Sequence, residues 1–79
     1  MPIGERIRRQ RDKLGISQRE LARRMGIPQP VISDFERGVR DEMTTALLKN
    51  FAQHLGCTTD YLVGMYEEEE SELLATVAS

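Results

Sequence analysis

Seventy-nine residues, 39% of them hydrophobic and only 5% aromatic, make one small domain whose core must be built by Leu, Ile, Val and Met, since Trp is absent. The net charge of −2 hides an asymmetry: residues 1–40 hold ten basic and five acidic residues, a net of +5, and residues 41–79 hold one basic and eight acidic, a net of −7. The single Cys57 excludes an intrachain disulfide and fits a reducing compartment; Met1 to Gln10 is charged with no apolar stretch behind it, and no run reaches the roughly 18 apolar residues of a membrane span, so a soluble cytoplasmic protein is expected.

Taken in chain order, residues 3–14 place Ile3, Ile7 and Leu14 at helical spacing, with Arg and Lys over the rest of the surface, and Gly15 stops the helix. Ser17 with Glu20 three residues later forms the S-x-x-E pattern of a capping box. It opens a second helix that turns Leu21, Ala22 and Met25 inward and ends at Gly26. Two turns are too few to stand alone, so this helix must pack against another. Pro28 reads as the first position of a third helix, where the missing N–H is no loss. Pro30 lies in the same turn and should push Gln29 from ideal helical angles. Val31, Ile32 and Phe35 supply the apolar positions, and Gly38 ends the helix after Arg37. A polar loop, Val39 to Met43, leads to a fourth helix capped by Thr44 or a neighbour. Leu47, Leu48, Phe51, Ala52 and Leu55 form one broad apolar stripe along it. Gly56 closes it, and Thr58 or Thr59 caps a short fifth helix that Gly64 terminates. Nothing alternates like a strand. The expected core is Leu21, Ala22, Ile32, Phe35, Leu48, Phe51, Leu55 and Leu62, with Ala22 and Ile32 at the crossing of the second and third helices.

Two short helices joined by Gly26-Ile27-Pro28 have helix-turn-helix spacing. The frame Ser17-Gln18-Arg19-Glu20-Leu21-Ala22, Met25-Gly26-Ile27, Val31-Ile32-Ser33 and Phe35-Glu36-Arg37-Gly38 resembles the lambda-repressor-like family of the Cro and repressor, or XRE, type. Leu55-Gly56 followed by Asp60-Tyr61-Leu62 and Gly64 resembles that family's fifth helix, so the likeness covers residues 3–64. It implies an all-α fold, a compact five-helix DNA-binding domain over residues 1–64, and a bacterial or phage-encoded transcriptional regulator. The resemblance implies a repressor that binds double-stranded DNA as a homodimer.

In this docking mode the second helix of the motif enters the major groove by its N-terminal end while the first crosses the backbone. Gln29, Pro30, Ser33 and Asp34 are then placed to reach base edges, with Val31 and Arg37 flanking. Gln29 matches a position where the family's phage repressors use Gln, a residue that can pair bidentately with adenine. Pro30 offers only an apolar surface. Asp34 departs from the family's pattern, because an acid near phosphates is unfavourable unless it accepts from cytosine N4. Gln18 matches the family's phosphate-clamping Gln, beside the helix start at Ser17. Arg11 and Glu36 match an ion pair that fixes the recognition helix and presents Arg11 to the DNA backbone. Arg37 and Arg40 follow that helix as phosphate contacts. Arg19, Arg23 and Arg24 read more readily as solvated surface.

His54 and Cys57 have no second histidine or cysteine to complete a zinc site, so no metal and no cofactor are expected, and burial is the better reading of Cys57. With no phosphate-cradling glycine loop and no nucleophile beside a histidine, enzymatic activity is set aside. A core of this size is marginal, since about 60% of the unfolded surface is buried at such lengths, and association is a common supplement. The family often uses the segments here at Val39 to Thr44 and Gly56 to Asp60 for the dimer contact. The acidic tail, residues 65–79, reads as a frayed end or as a short extra helix with Leu73, Leu74 and Val77 on one stripe. It gives the alternative its one support: an antitoxin-type module that binds DNA and also a protein partner through residues 65–79. A coactivator-type adaptor that bridges proteins is a third reading.

Overall fold

The computed structural model describes residues 2–40 and 42–64. Five helices follow one another in the described residues, with no strand among them: α1 (Ile3–Leu14), α2 (Gln18–Met25), α3 (Gln29–Glu36), α4 (Thr45–Leu55) and α5 (Thr59–Val63). Asp41 and the tail from residue 65 lie outside the described residues, and with them the choice between a frayed end and a sixth helix.

Three helix starts follow from hydroxyl caps. Ser17 Oγ accepts the Glu20 amide at 3.0 Å, Thr44 Oγ1 the Leu47 amide at 3.1 Å, and Thr58 Oγ1 the Tyr61 amide at 3.1 Å. The box at Ser17 is only half built, because the Glu20 carboxylate accepts from Arg23 and Arg24 instead of returning to the start of the helix. Pro28 is not the first helical residue but the cap before it, with φ −66° and ψ 140°. Gln29 is nevertheless helical, and Pro30 takes the second position, where no intrahelical N–H is required. Between α2 and α3, Gly26 adopts φ +71°, a left-handed turn that other residues rarely enter, and the Ile27 amide returns to the Ala22 carbonyl at 3.1 Å.

One core joins all five helices: Ile7, Leu21, Ala22, Met25, Ile32, Phe35, Phe51, Ala52, Leu55 and Leu62. Phe35 and Phe51 meet edge to face at 5.8 Å, which locks α3 onto α4. Leu48, expected in the core, is half-buried at its edge, as is Leu47. Leu14, the last residue of α1, is 45% exposed because the helix ends there and turns it outward.

Two buried positions were not evident from apolar spacing. Arg6, expected on the surface with its neighbours, is 2% exposed and lays its guanidinium over the Tyr61 ring, 5.3 Å from the centroid. Gly4 lies where α1 and the end of α3 meet so closely that a Cβ would fall 1.8 Å from the Phe35 carbonyl oxygen. Since that obstacle is backbone, Gly4→Ala can be accommodated only by separating α1 from α3. Loss of about 2–3 kcal/mol of stability is expected, as for other overpacked cores, to be read from urea unfolding.

Glu20 yields a second prediction. Its hydrogen bonds from Arg23 and Arg24 lower the carboxyl from its ordinary 4.5 to about 2. A depressed folded value means that the stabilisation is present above the ordinary value and is lost as pH falls through the folded one. Glu20→Gln should therefore flatten the decline in melting temperature between pH 4.5 and 2. Because the group is exposed, the difference should shrink when salt is raised to about 1 M.

Candidate nucleic-acid interface

On α3, Ile32 and Phe35 are buried, which turns the opposite stripe to solvent. Helical periodicity places Pro30, Asp34 and Arg37 along that stripe at i, i+4 and i+7, with Ser33 beside them. Gln29 and Pro30 are exposed, Ser33 and Asp34 half-buried, and Arg37 exposed as the C-cap. Val31 differs from the others in packing partly against the core.

Gln29 occupies the edge of the stripe nearest α2, and there the side chains join into one chain of polar contacts. Arg11 from α1 donates both Nε and Nη2 to Glu36, at 2.9 and 3.0 Å, in a bidentate pair. The same Glu36 Oε1 accepts from Gln18 Nε2 at 3.0 Å, and Gln18 Oε1 in turn accepts from Gln29 Nε2 at 3.4 Å. Arg11 also donates Nη1 to the Ile16 carbonyl at 2.9 Å, so one guanidinium ties α1 to the loop before α2 and to the end of α3. Side-chain exposure of only 12% for Arg11 and 5% for Glu36 shelters the pair from water. The Glu36 hydrogen bond is the main reason that the Arg11 guanidinium binds its proton more tightly than an ordinary one.

Most of the residues singled out from sequence therefore converge on one face, made by the start of α2 and the outer side of α3. Ser17 spends an oxygen lone pair on its cap and keeps its hydroxyl proton for an outside acceptor. Arg11 is the one that the structure turns inward, since its donors are directed to Glu36 and Ile16. Past α3, the Val39 and Arg40 amides fold back to the Asp34 carbonyl at 3.0 and 3.3 Å, and Arg40 sets its guanidinium 5.8 Å from the Phe35 ring centroid. Asp34, an acid on the outward stripe of α3, accepts from Arg37 Nη2 at 2.6 Å. Neither spacing nor the family frame revealed the bonds from Gln18 to Glu36 and to Gln29.

His54 and Cys57 do not converge. His54 Nδ1 lies 2.9 Å from the Asn50 carbonyl, whereas Cys57 packs half-buried against the core, where burial pushes its thiol up. No group of three metal-binding side chains forms among the described residues, and no helix among them is long and apolar enough to cross a membrane.

Residues 7–62 match the model of the helix-turn-helix family. The chain belongs to that family. It is 36% identical over 77 residues to the HTH-type transcriptional regulator ImmR of Bacillus subtilis (strain 168), an alignment that covers 94% of this chain and 60% of that protein. The chain thus spans about three-fifths of the length of this relative. A crystal structure of the P22 c2 repressor protein in complex with synthetic operator 9T, in the presence of Tl+, matches it with a TM-score of 0.75 at 34% identity. That match covers 82% of this chain and 97% of the P22 chain. The five-helix, lambda-repressor-like fold expected from the Ser17–Gly38 frame is the fold observed.

Within this helix-turn-helix, the sheltered ion pair can be tested directly. Arg11→Met keeps the aliphatic stem but leaves the Glu36 carboxylate with Gln18 as its remaining partner. A loss of about 3 kcal/mol is expected, the lower end for breaking a buried pair. Adding Glu36→Gln to that variant removes the stranded charge and should recover part of the loss in the same urea titration.

Proposed function

We propose that this chain is a sequence-specific DNA-binding transcriptional regulator that represses as a dimer, with residues 17–38 seated in the major groove. The observation that carries the reading is the rigid presentation of α3: its N-terminal Gln29 and its outward stripe are held at one attitude by the contacts from Arg11 through Glu36 to Gln18. A recognition helix must be fixed in this way, because a shift of an ångström would spoil bidentate contacts to base edges. Likeness to a repressor solved on its operator supports the same reading.

In this arrangement Gln29 and Ser33 address bases, and Pro30 and Val31 offer apolar contact to a thymine methyl. Gln18, Ser17, Arg37 and Arg40 hold phosphates. Arg11 acts on the backbone at most with its outer edge, and chiefly holds Glu36. The chain works as a binding protein in the cytoplasm of a bacterium or on behalf of a phage, without catalysis. Dimerisation is supported by the loop after α3, where Val39 is 65% exposed beside Met43 and Leu47. The antitoxin alternative rests on residues 65–79, and no described feature favours it over the repressor reading.

Selection from a random duplex pool at fixed salt tests the proposal. A palindromic consensus with half-sites one helical turn apart is expected, and sedimentation on the enriched duplex should give two chains per site. Gln18→Ala with Gln29→Ala should abolish enrichment while leaving the melting temperature within a few degrees. Arg37→Ala should weaken binding to every duplex and reduce the salt slope by about 1. Retained enrichment in the double variant would sink the assignment of the reading face.

A further inference from the structure

Asp34 is the one acid on the outward stripe of α3, and neither the fold nor the ion pair beneath it requires a carboxylate there. The parts of Asp34 that serve the fold are backbone: its carbonyl holds the Val39 and Arg40 amides. Its side chain, 30% exposed, accepts from Arg37 through Oδ1 alone. Among the described residues Oδ2 takes no hydrogen bond, and it stands on the stripe between Pro30 and Arg37. A guanidinium has five donors, so Arg37 can hold Oδ1 and still reach an anion.

We propose that Asp34, steadied by Arg37, is a specificity determinant through which this chain demands cytosine at one position of each half-site. The inference rests on the DNA-binding reading above and deepens it. An ionised carboxylate can only accept hydrogen bonds. In the major groove guanine presents N7 and O6, both acceptors, and thymine presents O4, so both repel it. Adenine offers the N6 donor but sets the N7 acceptor beside it. Cytosine N4 is the donor with no acceptor at its side on the same base. The Arg37 contact removes the net charge that would otherwise set Asp34 against the phosphates. It also occupies Oδ1, which leaves the second oxygen for a donor from the DNA.

The experiment compares wild type, Asp34→Ala and Asp34→Asn in selections from one random duplex pool at one salt concentration. Thermal melts confirm that each variant is folded. Wild type should enrich a cytosine at one position per half-site. Asp34→Ala should lose that preference, with discrimination there falling about tenfold, while the remaining positions of the consensus stay as they were. Asp34→Asn, which can donate as well as accept, should admit adenine at the same position. Affinity of Asp34→Ala for unselected duplex should rise, since a negative charge has left the DNA-facing stripe. A consensus unchanged in Asp34→Ala would overturn the assignment and leave Asp34 as a mere counter-charge to Arg37, with the DNA-binding reading intact. Failure of wild type to enrich any duplex would overturn that reading, and this inference with it.

Discussion

The carboxylate of Glu36 is the contact on which the remainder of the molecule depends. It lies in the last turn of α3, yet its two oxygens are taken by Arg11 of α1 and Gln18 of α2. Three helices are thereby tied at a point that the hydrophobic core does not reach. Apolar contacts are non-directional and would leave α3 some freedom to roll over Ile32 and Phe35. A bidentate pair has geometry as well as energy. The core therefore sets where α3 lies, and Glu36 sets which way its outer stripe faces.

Beneath that contact, the core is too small to define every helix position by packing, and side-chain donors directed at helix ends complete the task. The last carbonyls of a helix have no intrahelical partner and must be satisfied when sheltered. Asn50 of α4 donates to the Met25 carbonyl at the end of α2, and Gln10 of α1 donates to the Leu55 carbonyl at the end of α4, both at 3.1 Å. Arg11 adds a shorter tie, from α1 to the Ile16 carbonyl in the loop before α2. The Asn50 and Gln10 ties join residues distant in sequence, and each fixes a helix terminus against another helix. Such bonds contribute only about 1 kcal/mol apiece, but being directional they limit sliding, which a cluster of Leu and Ile does not.

The physical character of each feature explains how far it was legible in the sequence. Helix positions were legible because their signals are local: the hydroxyl caps at Ser17, Thr44 and Thr58 and the glycine turn at Gly26 act within one turn of chain. Pro28 misled by one position, since a proline suits both the cap and the first helical residue and only ψ tells them apart. Arg6 and Gly4 were not legible. An arginine beside Ile7 reads as surface until Tyr61, far along the chain, is known to lie beneath it. A glycine in the first turn of α1 gives no hint that the Phe35 carbonyl approaches it. The ion pair of Arg11 and Glu36 came from family likeness rather than from spacing, because nothing in 25 residues of separation implies contact. The links from Glu36 through Gln18 to Gln29 had to await the structure.

Charge is the last constraint, and it bears on how a chain of net −2 can suit a polyanion. Local neutralisation decides the matter more than the total does. Glu20 is consumed by Arg23 and Arg24, Glu36 by Arg11 and Asp34 by Arg37, and Asp12 lies 3.8 Å from Arg11 Nη1, so at least four of the five acids in the basic half are paired in place. Pairing has a second effect on the arginines. Arg23 and Arg24 face one another's counter-ion on an exposed surface, where such pairs are weak and screened, so they remain free to exchange it for another anion. Arg11 is sheltered with Glu36 and cannot exchange at comparable cost. The same residue type thus serves two ends in one small fold: sheltered, it holds the recognition helix in place; exposed, it supplies the diffuse positive field that draws a polyanion to it.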